Sequence, residues 1–394
     1  MPENNAKIQV VILINELLRG GAQRIVLDIA RNIDRKRFAL QVVYLKAGTN
    51  FAPDAQTVLG ELEASGTPVT CLSGGPHFSF AEAIRLYRFL RRERPHVLQT
   101  FLPYAGILGR IIGRLARVPH IISVQCNLPI AYTKKNYWLD KLTLPFAETW
   151  IGATEGIEQS YGDSVEPFTR EAWQKGRRHF TIVAGVDLPV FDAKIAKTDR
   201  NAKRRELGIA KTDTLIMMTA RLISWKGHAD LIRAMQFLPL STHLALVGWG
   251  PLEAELKAQA EKEGTSKRIH FLSSRNDVIE LLAAADIYVQ AHSYAADGSV
   301  WKGPNTSQME ACAARVPSVS TAVPLIETLI EDGVTGILAQ PNDPRDLARA
   351  ILFLYEHPDN AQRLAQAARK RVEERFSLAS MIHSYEGLYE AMIR

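Results

Sequence analysis

Short apolar runs alternate with amphipathic segments along this chain, and the alternation runs through twice. IQVVILI (8–14) is followed by AQRIVLDIARNI (22–33) and FALQVVYL (38–45). HVLQTF (96–101) is followed by AGILGRIIGRLARV and then HIISVQ (120–125). The rhythm restarts with TLIMMTARL (214–222), HADLIRAMQFL, HLALVGW (243–249), PLEAELKAQAEKEG, RIHFL (268–272), DVIELLAAA and DIYVQA (286–291). Apolar runs of this length, bounded by turn residues, suit strands covered on both faces, and the segments between them supply the covering helices. The expected class is α/β, with two tandem Rossmann-like, doubly wound domains facing across a cleft. A chain of 394 residues is too long for one ordinary core, which agrees with two domains. The segment IVAGVDLPVFDAKIAKTDRNAKRRELGI (182–209) turns polar and charged after Phe191 and reads as the linker. This places the domains at 1–190 and 191–375, with a final segment at 376–394.

Composition narrows the partners. A hydrophobic content of 46% with 23% charged residues is that of a soluble globular protein. No apolar run approaches the roughly 20 residues that span a bilayer. The start, MPENNAKIQVVILI, lacks the cationic region of a secretory signal. Cys71, Cys126 and Cys312 are scattered and have no metal-type spacing, so a reducing cytosol and no zinc site are expected. The net charge of +6 is uneven: residues 1–200 hold 26 Lys and Arg against 19 Asp and Glu, and the remainder holds 22 against 23. The excess includes RLYRFLRRERP (85–95), GRIIGRLARVP (109–119) and YTKKNYWLDKL (132–142), where cations interleave with aromatic and aliphatic residues. Solvated helix faces account for any one of these segments. The sharper reading is a surface that rests on anionic lipid. No nucleic-acid-binding motif is present.

Four stations fall at the carboxyl ends of expected strands, where ligands bind in doubly wound sheets. In LLRGGAQR (17–24), Gly20 and Gly21 would let a backbone approach a ligand at a helix start. The turn is equally compatible with an ordinary strand–helix connection. In ARLISWKGHADL (220–231), Arg221 and Lys226 flank a tight turn, where they can clamp a diphosphate, one as a fork and one as a point charge. In LVGWGPLEAEL (246–256), Gly248, Gly250 and Pro251 shape a turn whose use is mainly structural. In WKGPNTSQME (301–310), Gly303 and Pro304 lead to a helix cap at Asn305 or Thr306, and Glu310 follows about one turn later. A carboxylate entering a small, apolar helix needs a partner, and vicinal hydroxyls of a ribose are one. Cations, helix start and carboxylate together describe a nucleoside diphosphate.

The chain resembles the retaining nucleotide-sugar glycosyltransferases of family four, also called group one, which have the GT-B fold. The likeness runs through GGAQR, IVAGVDLPVF, ARLISWKGHADLIRAM, LALVGWGPLEAEL, IHFLSSRNDVIELLAAADIYV, MEACAARVPSVST and PLIETLIEDGVTGIL. It ends in FSLASMIHSYEGLYEAMI, similar to the family's last helix, which crosses back onto the amino-terminal domain. The resemblance implies that Arg221 and Lys226 hold the donor diphosphate and that Gly20 and Gly21 approach the donor. It also implies that Ser274 and Arg275 line the base pocket and that Glu310 binds the ribose. Gly250, Gly303, Pro304, Asn305 and Thr306 complete the expected donor site. Two departures stand out. The family's first Glu of a pair would fall at 302, where this chain has Lys302, with Asp297 the nearest acidic substitute. A His common in the segment matching VQCN (124–127) is replaced by Cys126, which with Asn127 would face the acceptor.

The implied activity is transfer of a sugar from a UDP- or GDP-sugar to a hydroxyl, with retention, in synthesis of cell-surface polysaccharide, lipopolysaccharide or lipid-linked glycan. No metal or cofactor beyond the co-substrate is expected, and the protein is placed in the cytoplasm at the inner membrane face. Two other readings share the plan: a nucleotide-sugar epimerase, which would act on the donor without an acceptor, and a degenerate transferase that binds donor without turnover.

Overall fold

The computed structural model describes residues 7–18, 20–46, 53–72, 80–126, 133–162, 164–294, 298, 300, 303 and 305–393. The chain divides into two compact units, Met1–Gly185 with Leu378–Arg394, and Val186–Ser377. Each is built on a parallel sheet covered by helices, so the α/β class expected from the alternation is the one found.

The first sheet comprises β1 (Ile8–Ile14), β2 (Phe38–Tyr44), β3 (Val69–Cys71), β4 (Val97–Phe101), β5 (His120–Gln125), β6 (Thr149–Gly152) and β7 (His179–Thr181), in the order β3-β2-β1-β4-β5-β6-β7. The second comprises β8 (Thr214–Thr219), β9 (Thr242–Val247), β10 (Ile269–Phe271), β11 (Ile287–Gln290), β12 (Ser318–Thr321) and β13 (Ile337–Ala339), in the order β10-β9-β8-β11-β12-β13. Neighbouring strands pair in parallel in both sheets. In each, strand order reverses at one place, between β1 and β4 and between β8 and β11. Such a switch point leaves a crevice beyond the strand ends.

The long runs were legible because their residues are buried on both parities: Val10 to Ile14 are all within the core. The five strands absent from the expected pattern, β3, β6, β7, β12 and β13, are three or four residues long and rely on their neighbours for definition. The segment 182–209, read as a linker, carries two helices, Leu188–Lys197 and Arg200–Glu206, within the second unit. Asp187 and Asp199 cap them by accepting from the N–H groups of Val190 and Ala202. Arg204 is buried and donates to the carbonyls of Ala284 and Ala210 and to Asp286. Polar composition there reflects an ion-paired helix, and the division falls earlier, after Gly185.

The terminal helix Leu378–Ile393 belongs to the first unit. Its apolar stripe of Met381, Tyr385, Leu388, Tyr389 and Met392 is buried. The Tyr389 hydroxyl donates to Gln99 Oε1 at 2.5 Å, Glu386 accepts from the Asp34 N–H at 2.8 Å, and Arg37 and Arg170 both pair with Glu390. Leu388→Ala removes a fully buried side chain from this contact and should destabilise the first unit by about 2–5 kcal/mol. Differential scanning calorimetry of the variant tests this, and an unchanged transition would mean that the helix does not stabilise the unit.

Candidate functional site

Both Arg221 and Lys226 lie in the loop that follows β8, the strand at the second unit's switch point. That loop closes through a short 3₁₀ turn, Ser224–Lys226, into the helix His228–Ala234. Gly227 joins them at φ +74°, and a Cβ there would overlap the Ala291 carbonyl oxygen. The position therefore requires glycine on both backbone and steric grounds. The Ser293 N–H donates to the Trp225 carbonyl at 3.2 Å, tying the β8 loop to the one after β11. On the other side, Leu222 N–H donates to Trp249 at 3.0 Å and Leu252 N–H donates back to Leu222 at 3.2 Å. A Cβ on Gly250 would strike the Leu222 backbone, so Gly250 serves the packing of two loops.

The two cations sit in different surroundings. Arg221 is exposed, its guanidinium carbon 5.5 Å from the Trp249 ring centroid. Lys226 is half-buried, its ammonium 4.5 Å from the Trp225 ring centroid and 3.1 Å from His292 Nε2. Burial, reinforced by the charge of Arg221, lowers the Lys226 pKa to about 7. His292 is fully buried, and burial with the charge of Lys226 holds it well below its usual value. The same two causes lower His228 to about 4. Both imidazoles are neutral at neutral pH, so His292 Nε2 accepts the hydrogen bond that Lys226 donates.

The helix Thr306–Ala313 begins beside this loop. Asn305 is its N-cap, accepting from the Gln308 N–H at 2.8 Å. Ser307 Oγ lies 3.0 Å from Asn305 Oδ1 and 2.9 Å from the carbonyl of Thr219, the last residue of β8. Gly303 is buried at φ +83° and donates to the Pro324 carbonyl at 2.7 Å. Thr306 and Glu310 are half-buried, and the charge of Glu310 reaches the buried phenol of Tyr288. Glu310 is thus less enclosed than its apolar sequence neighbours suggest. A partly exposed side chain can receive a ligand, and this one lies on the helix that Asn305 caps.

Other expected residues stand elsewhere. Arg275 is engaged by Asp277 at 2.7 Å and Glu206 at 2.6 Å, which raises its pKa, and Lys203 joins the same cluster through Asp277 at 2.8 Å. Ser274 is exposed in the loop after β10. In the first unit, Gly20 and Gly21 are exposed at the start of the helix Gly21–Asn32, with open space where a Cβ on Gly21 would point. Cys126 follows β5, and burial pushes its thiol up to about 12, so it is protonated at neutral pH. Lys302, Pro304, Asn127 and Asp297 lie outside the described residues. Among the described residues no group of three or more His, Cys, Asp or Glu could hold a metal ion. Sequence reasoning passed over Tyr288 and Gln290 in β11 and His292 just beyond it, although three polar residues at every second position were a visible signal.

A family model described as "Glycosyl transferases group 1" matches residues 199–371, and a second, "Glycosyl transferase 4-like domain", matches residues 20–172. The chain belongs to the group 1 glycosyltransferases. The Escherichia coli UDP-Gal:alpha-D-GlcNAc-diphosphoundecaprenol alpha-1,3-galactosyltransferase is 23% identical over all of this transferase and 99% of that protein. The Rhizobium meliloti lipopolysaccharide core biosynthesis glycosyltransferase LpsE is 29% identical over 77% of this chain and 78% of its own. Among solved structures, Anabaena HepE in complex with UDP-glucose superposes with a TM-score of 0.79, at 22% identity over 97% of this chain and 99% of that one. The likeness to HepE establishes the shared GT-B fold.

The electrostatics of the β8 loop can be read directly. In the ligand-free transferase, acylation of Lys226 by acetic anhydride should follow a midpoint near pH 7, because only the neutral amine reacts. Peptide mass mapping against pH measures it. A midpoint near that of an ordinary lysine, about 10.4, would show that burial and Arg221 do not act on the amine as described.

Proposed function

We propose that this transferase moves a sugar from a nucleoside diphosphate to a hydroxyl acceptor, with retention of anomeric configuration, during assembly of a lipid-linked or cell-surface glycan. One observation carries the donor assignment: two cations and a capped helix start converge at the end of β8, with a carboxylate on that same helix. Arg221 and Lys226 hold the diphosphate, the N–H groups after Asn305 assist them, and Glu310 accepts from the ribose hydroxyls. As the glycosidic bond breaks, negative charge grows on the departing diphosphate, where fixed donors lower the barrier most. HepE, a protein of the same fold, has been solved with UDP and with UDP-glucose, which favours a UDP-sugar as the first donor to test. Lys226 must be charged to meet the phosphates, so donor binding takes up a proton and weakens as pH rises above 7.

Thermal-shift screening against a panel of UDP- and GDP-sugars tests this reading, since a ligand that binds only the folded state raises its melting temperature. Arg221→Ala with Lys226→Ala should abolish the shift and lower kcat/KM about 100-fold or more, on the scale of two charge-assisted hydrogen bonds of about 1.5–3 kcal/mol each. Its own melting temperature should be nearly unchanged. A double variant with wild-type turnover would remove the clamp.

The acceptor is assigned to the first unit and to a membrane surface. The helices Phe80–Glu93, Pro103–Leu115 and Lys134–Thr143 pack in sequence, the second touching both others. They expose Phe80, Leu115, Trp138 and Leu142 at 63–77% of full accessibility, among the exposed cations Arg88, Arg92, Arg114, Lys135 and Lys141. Apolar side chains interleaved with cations suit anionic lipid. The diphosphoundecaprenol named in the substrate of the E. coli relative is consistent with an acceptor held at such a surface. Sedimentation with phosphatidylglycerol-containing vesicles should be strong at low salt and weaken as salt screens the cations. Trp138→Glu with Leu142→Glu should reduce binding about tenfold or more, given the roughly 1.5–3 kcal/mol each buried side chain contributes. Equal sedimentation of wild type and variant would place any lipid contact elsewhere.

A further inference from the structure

The central strand β11 and the loop that follows it carry polar side chains in buried positions. Tyr288, Gln290 and His292 are each 0% exposed. Burying polar groups in a sheet is unfavourable unless they bond one another, and a satisfied chain of such bonds fixes geometry. These three form such a chain. Lys226 Nζ lies 3.1 Å from His292 Nε2, and Gln290 Nε2 lies 3.3 Å from the same atom. The other end of the amide, Gln290 Oε1, accepts from the Tyr288 hydroxyl at 3.2 Å. That hydroxyl also lies 3.5 Å from the Thr219 carbonyl, to which the Ser307 hydroxyl donates at 2.9 Å, and Ser307 Oγ is 3.0 Å from the capping Asn305. One end of the chain is therefore the ammonium on the β8 loop, and the other is the start of the Thr306–Ala313 helix.

We propose that Tyr288, Gln290 and His292 are positioning residues, a buried hydrogen-bond relay along β11 and the loop after it that holds Lys226 in register with the Asn305-capped helix start. The inference rests on the diphosphate clamp described above and says how the clamp is aligned. His292 must act as acceptor: Lys226 donates to Nε2, which places the imidazole proton on Nδ1. Gln290 Nε2, 3.3 Å from the same nitrogen, shares its single lone pair as the longer arm of a bifurcated contact, and Tyr288 fixes the amide orientation by donating to its oxygen. Thr321 Oγ1 donates to the His292 carbonyl at 2.7 Å, and the Ser293 hydroxyl donates to Asp230 at 2.7 Å, so the backbone at the relay's end is held on two sides. Because the relay reaches the proposed donor site only through Lys226 and the helix start, its loss should loosen alignment without removing charge.

The test is UDP affinity by isothermal titration, measured in the full chain with Lys226 intact and again in a Lys226→Ala background. The two series form a double-mutant cycle that isolates the coupling between neighbours. His292→Leu is expected to weaken UDP about tenfold when Lys226 is present and less than twofold in the Lys226→Ala background. Gln290→Leu should give a smaller loss of the same pattern, and it carries the test if His292→Leu fails to fold by circular dichroism. His292→Gln, which returns an acceptor to the same place, should restore most of the affinity. The acylation midpoint of Lys226 should also fall in His292→Leu, because the lost acceptor had favoured the ammonium form. Unchanged UDP affinity in both Leu variants, or an equal loss with and without Lys226, would overturn the relay. Lys226→Ala binding UDP as the wild type does is a different failure, which overturns the clamp itself.

Discussion

A cation held half-buried beside another cation is the constraint around which the second unit's strand ends are arranged. Lys226 and Arg221 repel, and burial adds to the cost of charging the lysine. The surrounding loops hold both residues in place regardless. Gly227 permits the turn and the contact with the Ala291 carbonyl, while Gly250 lets the β9 loop lie against Leu222. Hydrogen bonds between Trp225 and Ser293, and between Leu222 and Trp249, fasten the three loops together. Rigid loops of this kind keep like charges together without spending binding energy on ordering them when an anion arrives, which is what preorganisation means in a transferase.

A buried ion pair has a comparable role in the first unit. Arg110 and Asp140 are almost wholly enclosed and 2.6 Å apart, and Arg110 also bonds Ser123 at 2.6 Å and Thr143 at 2.7 Å. Such pairs are weak sources of net stability, because desolvation offsets the attraction, but breaking one is costly. Its effect is to fix the orientation of the helix Lys134–Thr143 relative to β5. That orientation turns Trp138 and Leu142 outward while Asp140 faces in. An exposed tryptophan on a helix locked from beneath is a surface held in one attitude.

Much of the fold could be read from the chain, because long strands buried on both faces leave unbroken apolar runs. IQVVILI and HIISVQ coincide with β1 and β5. Ser318–Thr321, though flanked by strands on both sides, consists of four residues, three of them hydroxylated, and carries no such mark. The boundary between the units falls inside the 182–209 segment, but the two helices there were not legible, because Arg204 and Asp286 pair across long sequence separation. At Arg275 the neighbouring Asp277 was in view, but the ion pair with Glu206 was not, because it lies 69 residues away. Arg221 and Lys226 were legible because their turn follows the strand with no intervening element. The His292 partner of Lys226 was not, since it lies 66 residues away.

The two sheets share one topology at their switch points and use it differently. Beyond β1 stands a turn of exposed backbone, Gly20 and Gly21, opening a helix with no acidic residue in its first turn. What that turn offers an anion is N–H groups and the helix dipole, which contribute modestly and are screened at an exposed surface. Beyond β8 the charge is carried by side chains, one guanidinium and one ammonium, with neutral imidazole and indole around the ammonium. The larger electrostatic term therefore belongs to the second unit. A diphosphate bound as proposed would need little from the first, whose glycines add no charge. On the proposed reading, donor affinity would be decided within Val186–Ser377, and the first unit would be free to diverge with the acceptor.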